Sequence, residues 1–278
     1  MKLDRTINRR LADLDRKPRP TSPDPSPDPP PTHSASVLRV GEAQTRRGSL
    51  EELLPGLQQT VGEGAYWELL TPLSALGDWT TPAAEHWLEA MRTERFPGSL
   101  LPAGNPTPAG IVFFDTETTG LNNEPLFLVG MLCQDREALY IRQLLARDYS
   151  EEPAVLAEAR RLLGQAELVV SYNGTTFDLP YLQNRLRYHR LGQFKPPAHL
   201  DLLPVARRKL GRSLGNCKLQ TLERHLCRRE RRNDIPGAEI PQAYHDFVAD
   251  GEAGRLCQII EHNCFDVITL AEIAAHLA

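Results

Sequence analysis

The stretch Ile111-Val112-Phe113-Phe114-Asp115-Thr116-Glu117-Thr118-Thr119-Gly120 decides the fold. Four consecutive apolar residues that end on an acid read as a short buried strand with Asp115 at its mouth. In a strand, residues i and i+2 project to the same face, so Asp115 and Glu117 converge on one spot. Two adjacent carboxylates repel each other and are costly unless a cation lies between them. Asp-x-Glu alone is common, and a surface ion pair is its default meaning. Directly after a buried run, that default weakens.

Working downstream, Leu126 to Leu132 and Ala138 to Ile141 read as two more strands of a meander. Residues 151–164 are expected to be helical, Leu168-Val169-Val170 a strand, and 177–189 a second helix. After a strand near Leu200 the rest is expected to be mostly helical, ending in a helix from Ile259 to His276. Strands first paired as a meander and then alternating with helices predict an α/β fold, a mixed sheet flanked by helices. Working upstream, the Gly/Pro stretch from Pro97 to Gly110 separates this domain from a segment holding Trp67, Trp79 and Trp87. There Ala65 to Leu70 reads as a strand. Thr81-Pro82 reads as a helix start, with Ala84, Trp87, Leu88 and Met91 on one stripe. Eight of the 23 prolines fall between Lys17 and Pro31, a composition that propagates neither helix nor sheet. Before it, Leu3, Ile7, Leu11 and Leu14 mark a short amphipathic helix, either a docking peptide for a protein partner or a fray. Three regions are therefore expected: a disordered arm over 1–49, a tryptophan-bearing structural appendage over 50–108, and a domain over 109–278.

The composition excludes several classes. The apolar run Leu126–Leu132 is far short of the ~20 residues a bilayer requires, and MKLDRTINRR carries charges where a signal peptide needs an apolar core. Five scattered cysteines form neither a disulfide framework nor a zinc ribbon, which fits a reducing cytoplasm. Zinc on Cys217, His225, Cys227 and His262 is disfavoured by their irregular spacing. Gly211-Arg212-Ser213-Leu214-Gly215 fits a nucleophile elbow only in letters, because a basic helical segment precedes it instead of a buried strand. A net charge of −4 argues against a nucleic-acid partner until its distribution is read. From Val205 to Arg232 there are ten basic residues, Arg207, Arg208 and Lys218 among them, against Glu223 and Glu230, a net +8. From Asn233 to Ala278 the balance is −7.

Two further acids stand where chemistry could use them. In Tyr172-Asn173-Gly174-Thr175-Thr176-Phe177-Asp178, a strand ends, a loop turns, and Asp178 falls in the first turn of a helix, where a negative charge is favourable in any case. In Glu261-His262-Asn263-Cys264-Phe265-Asp266, His262 and Asp266 are one helical turn apart and share a face. The order of these motifs resembles the DEDD superfamily of 3′–5′ exonucleases on the ribonuclease H-like fold. Tyr172-Asn173 with Phe177-Asp178-Leu179-Pro180-Tyr181-Leu182, and then His199-Leu200-Asp201-Leu202-Leu203-Pro204-Val205-Ala206-Arg207-Arg208, are similar to the proofreading domain of family B DNA polymerases. Over about 110–278 the chain resembles the YprB-type ribonuclease H-like domain. That resemblance is carried by Cys217-Lys218-Leu219, Leu222-Glu223, Asp234-Ile235-Pro236-Gly237, Ile240-Pro241 and His262-Asn263 before Asp266.

The resemblance implies that Asp115, Glu117, Asp178 and Asp266 hold two divalent ions, Mg²⁺ or Mn²⁺, for in-line hydrolysis of phosphodiester bonds. One ion would activate the attacking water and the other would stabilise the leaving 3′ oxygen. Two roles for His262 stay open. The His-bearing branch of the superfamily usually places its histidine five residues before the last Asp, whereas here the interval is four, as for the tyrosine of the other branch. His262 is then either the general base or a passive holder of the water. The resemblance puts Asn173, Thr118 and Lys218 on the substrate side, and the basic segment with Arg207 and Arg208 reads as a track for phosphates. The expectation is a cytoplasmic 3′–5′ exonuclease of DNA or RNA, with single-stranded ends favoured. A structure-selective endonuclease and a nucleic-acid-binding scaffold with a vestigial site are the alternatives. Oligomeric state and the choice between DNA and RNA have no linear signature.

Overall fold

The computed structural model describes residues 47–79 and 106–277, apart from 122, 136–137, 197 and 232. The helix expected within 1–16, the proline-rich stretch and the helix expected from Thr81 to Met91 lie outside the described residues. In chain order the elements are α1 (Leu50–Leu53), β1 (Leu57–Val61), β2 (Gly64–Pro72), β3 (Ile111–Thr118), β4 (Leu126–Asp135), β5 (Ala138–Leu145), α2 (Glu152–Gln165), β6 (Leu168–Ser171), α3 (Asp178–Tyr188), β7 (His199–Asp201), α4 (Leu202–Leu210), α5 (Leu219–Leu222), α6 (Ile240–Asp250) and α7 (Gly254–Leu277).

The seven strands form one mixed sheet in the order β1-β2-β5-β4-β3-β6-β7. β1 through β5 pair antiparallel, whereas β3–β6 and β6–β7 pair parallel. The meander and the alternating half expected from the sequence are both present. One boundary differs. Residues 57–72, expected within an appendage, add a hairpin to this sheet, with β2 paired to β5 from Trp67↔Leu145 to Pro72↔Tyr140. Gly62, at φ 60°, takes the first position of the two-residue hairpin loop, where an L side chain is disfavoured.

β3 is central and buried on both faces. Its even residues Val112 and Phe114 pack with Val155, Ala159 and Leu163 of α2 and with Leu182 and Leu186 of α3. Its odd residues Ile111 and Phe113 pack with Cys264, Val267, Ile268 and Ala271 of α7. Phe113 and Phe114 are wholly buried, and each contributes about 1.5–3 kcal/mol through removal of its side chain from water. α7 is buried over most of its circumference, and the buried set includes the polar residues His262, Asn263, Thr269 and Glu272. No helix among the described residues is long and apolar enough to cross a membrane.

Candidate active site

Asp115 and Glu117 continue the odd row of β3 and so turn to the side that α7 covers. Thr116, between them, faces the other way. Its Oγ1 donates to Asp178 Oδ1 at 2.6 Å, and Asp178 is the first residue of α3. The strand therefore gathers carboxylates from both sides of the sheet at its C-terminal end. A register shift between Glu117 and Thr118 ends the regular pairing there.

The turn that delivers Asp178 is held by several independent restraints. Asn173 lies in the left-handed region at φ 65°, a conformation that Asn tolerates better than most residues. A Cβ on Gly174 would stand 2.1 Å from Ser171 Oγ, so this position has room only for glycine. The N–H groups of Thr176 and Phe177 both donate to Asn173 O at 3.0 Å. Asp201, the N-cap of α4, clamps the turn from outside. Its Oδ1 accepts from Asn173 N at 2.8 Å and from Leu203 N at 3.0 Å, and its Oδ2 accepts from Thr175 N at 3.1 Å.

On α7, His262 and Asp266 sit in a ring of charges supplied by the segment before α6. His262 Nδ1 lies 2.7 Å from Asp234 Oδ1, and its Nε2 lies 3.5 Å from Asp266 Oδ2. Arg231 Nη2 donates to Asp266 Oδ1 at 2.5 Å, while its Nη1 lies 3.4 Å from Asp234 Oδ2. Glu223 accepts from Arg231 Nε and from Arg229 Nε, each at 2.7 Å, and anchors the ring to the interior. Between His262 and Asp266 on the same helix, Asn263 donates from Nδ2 to Asp115 Oδ2 at 3.0 Å.

The electrostatics follow from this crowding. Burial, with Asp266, Glu117 and Asp178 close by, holds the Asp115 carboxyl well above its usual range. Burial pushes Glu117 up to about 8, with Asp266, Asp178 and Asp234 adding to the effect and His262 opposing it. Asp178 is pushed up to about 6, chiefly by burial and against the pull of its Thr116 hydrogen bond. For His262, burial disfavours the charged form, but Asp266, Asp234 and Glu117 outweigh it and push the imidazole up to about 9. The site is short of positive charge. Among the described residues no three His, Cys, Asp or Glu side chains close on one point as a preformed cage. Asp178 is turned to Thr116, Asp115 to Asn263 and Asp266 to Arg231. What fits Mg²⁺ or Mn²⁺ is the chemistry of the donors: four carboxylates, all hard oxygen, whose mutual repulsion a cation would relieve.

The residues expected on the substrate side divide. Thr118 is buried and donates from Oγ1 to Gly120 O at 2.7 Å, so it braces the loop after β3. Asn173 is half-buried at the turn described above. Lys218 is exposed beside Cys217, whose carbonyl accepts from Tyr172 Oη at 2.5 Å, which brings it near the same turn. Arg207 and Arg208 are exposed in the last turn of α4, Arg207 within electrostatic reach of Tyr172. Of the other basic residues in the segment, Lys209, Arg212, Arg224 and Arg228 are exposed, Arg229 and Arg231 are locked in internal ion pairs, and Arg232 lies outside the described residues. Asn263, Gln143, Asp201, Arg231 and Asp234 take parts in the site that sequence reasoning did not assign. All five cysteines are free thiols.

A family model described as the RNase_H superfamily matches residues 112–278. The uncharacterized protein YprB of Bacillus subtilis (strain 168) is 30% identical over 175 residues, 60% of this chain and 42% of that protein. Among solved structures, the family B DNA polymerase from the hyperthermophilic archaeon Pyrobaculum calidifontis superposes with a TM-score of 0.50 at 18% identity. That likeness covers 60% of this chain and 24% of the polymerase, and it concerns the fold. The chain thus spans less than half the length of either protein.

Proposed function

Since the chain belongs to the RNase_H superfamily, we propose that it hydrolyses phosphodiester bonds of nucleic acid as a 3′–5′ exonuclease, preferring single-stranded ends. The observation that carries this reading is the gathering of Asp115, Glu117, Asp178 and Asp266, from three separate elements, within Coulombic reach at the end of β3. Those four residues would hold two Mg²⁺ or Mn²⁺ ions, whose chemistry when bound is activation of a water and stabilisation of the leaving 3′ oxygen. The chain's own groups do the rest. With Nδ1 on Asp234, the nitrogen of His262 left to exchange a proton with the attacking water is Nε2, which faces Asp266. Asp201 and Gly174 fix the turn from which Asp178 projects. Arg207 and Lys218 are exposed near the Tyr172–Asn173 turn, and Arg208 is exposed next to Arg207 in the last turn of α4, a placement suited to contacting the phosphates of the strand.

The test uses 5′-labelled single-stranded DNA and RNA with Mg²⁺ or Mn²⁺, beside Asp178→Ala. The expected outcome is a ladder of products shortening from the 3′ end. In the variant its rate falls by at least ~10²-fold, equivalent to about 2.7 kcal/mol. Discrete internal cuts would replace the exonuclease with an endonuclease. Binding without cleavage under either metal would leave a scaffold.

A further inference from the structure

The geometry points to a hydrogen-bond relay in which Gln143 of β5 and Asn263 of α7, with Gly130 of β4 making room, position the Asp115 carboxylate. It deepens the reading given above, since it rests on Asp115 being a cation ligand.

The relay follows the sheet's register. Asp115 pairs with Gly130, and Gly130 pairs with Gln143, so the three form one row across three adjacent strands. Asn263 lies over the middle of that row. A Cβ on residue 130 would stand 1.9 Å from Asn263 Oδ1 and 2.8 Å from its Cγ, so the row can be bridged only if its centre is glycine. The two ends of the bridge are then the outer residues. Asn263 Nδ2 donates to Asp115 Oδ2 at 3.0 Å, and Asn263 Oδ1 accepts from Gln143 Nε2 at 2.9 Å.

The direction of these bonds is fixed from outside the site. Gln143 Nε2 also donates to Ile260 O at 2.8 Å, and a backbone carbonyl can only accept. That bond orients the Gln143 amide, Gln143 orients the Asn263 amide, and Asp115 receives an N–H. An Asn263 amide turned over would instead aim its oxygen at a carboxylate. The arrangement has a cost that packing does not explain. Gln143 and Asn263 are wholly buried, and Gln143 Oε1 has no hydrogen-bond partner among the described residues. A buried unpaired acceptor destabilises a fold, and apolar side chains in place of both amides would avoid it. Orientation of Asp115 accounts for the amide. A donor on one oxygen favours the charged form and restricts the carboxylate's rotation, as the outer hydrogen bonds around metal ligands do.

The experiment titrates the full chain with Mn²⁺, following the free ion by electron paramagnetic resonance, and measures thermal melting of the same samples. The proteins compared are wild type, Gln143→Leu, Gln143→Met and Asp115→Asn. Gln143→Leu, which exchanges the unpaired Gln143 Oε1 for an unpaired Asn263 Oδ1, is expected to melt close to the wild-type temperature while its Mn²⁺ affinity falls by about 10–100-fold, and Gln143→Met repeats the test if leucine does not fold. A lower melting temperature with unchanged Mn²⁺ affinity in the Gln143 variants overturns the relay. Loss of Mn²⁺ binding in Asp115→Asn alone leaves the ligand reading standing and removes the relay. If wild type does not bind Mn²⁺, or Asp115→Asn binds as wild type does, both fall.

Discussion

His262 differs from a solvated helical histidine in that both ring nitrogens face carboxylates, Asp234 at 2.7 Å and Asp266 at 3.5 Å. Asp234→Asn removes one negative charge, so the imidazolium loses part of what holds its proton, and its pKa is expected to fall below about 9. A proton-detected titration of the metal-free variant reads this directly, and an unchanged midpoint would leave the whole effect to Asp266 and Glu117. The sign for stability follows. A histidine raised from 6.5 stabilises the fold fully below 6.5, and the contribution disappears as pH rises through about 9. At this scale the sequence was legible wherever an element's own period set the geometry. Strand parity joined Asp115 to Glu117, and the helical repeat joined His262 to Asp266. Asp234 and Arg231 had no such signal, because they arrive from an irregular segment whose path depends on the buried Glu223.

The segment from Val205 in α4 to Arg232 shows how charge composition misleads about an element. Its +8 read as a single track for phosphates, yet Arg229 and Arg231 are paired with Glu223, Glu272, Asp234 and Asp266 inside the fold. Arg207, Arg208, Arg212 and Lys218, exposed on α4 and in the following loop, are the set that we propose meets substrate. Two variants separate the roles. Arg208→Ala is expected to leave melting unchanged and to reduce the salt dependence of single-strand binding by about 0.7 in the log–log slope. Arg231→Ala takes one pairing partner from each of Glu223, Asp234 and Asp266 and is expected to cost about 3–5 kcal/mol in denaturant unfolding. Equal effects of the two on the slope would return Arg231 to the substrate face. Among elements, β3 to β6 were legible as apolar runs. β1 was not, since Leu57-Gln58-Gln59-Thr60-Val61 buries its odd residues only partly and gains its strand form from pairing with β2.

For the whole molecule, the hairpin changes where the fold begins. A version starting at residue 106 would uncover the edge of β5 along Tyr140 to Leu145, which β2 otherwise pairs. Unpaired strand edges are templates for association. This shorter protein is therefore expected to scatter light and melt earlier than the full chain, and a monodisperse protein of unchanged melting temperature would restore the appendage reading. The net charge of −4 was uninformative because opposite balances cancelled, whereas the order of the motifs along the chain carried the fold. That same order has a bearing on synthesis. Asp115, Glu117 and Asp178 leave the ribosome well before Asp266, and Asn263 and His262 come with it on α7. Until that helix docks, the emerging polypeptide has three acids without their fourth member, their imidazole or their amide donor. On the function proposed above, a chain of this topology beside messenger and ribosomal RNA stays disarmed until α7 is made.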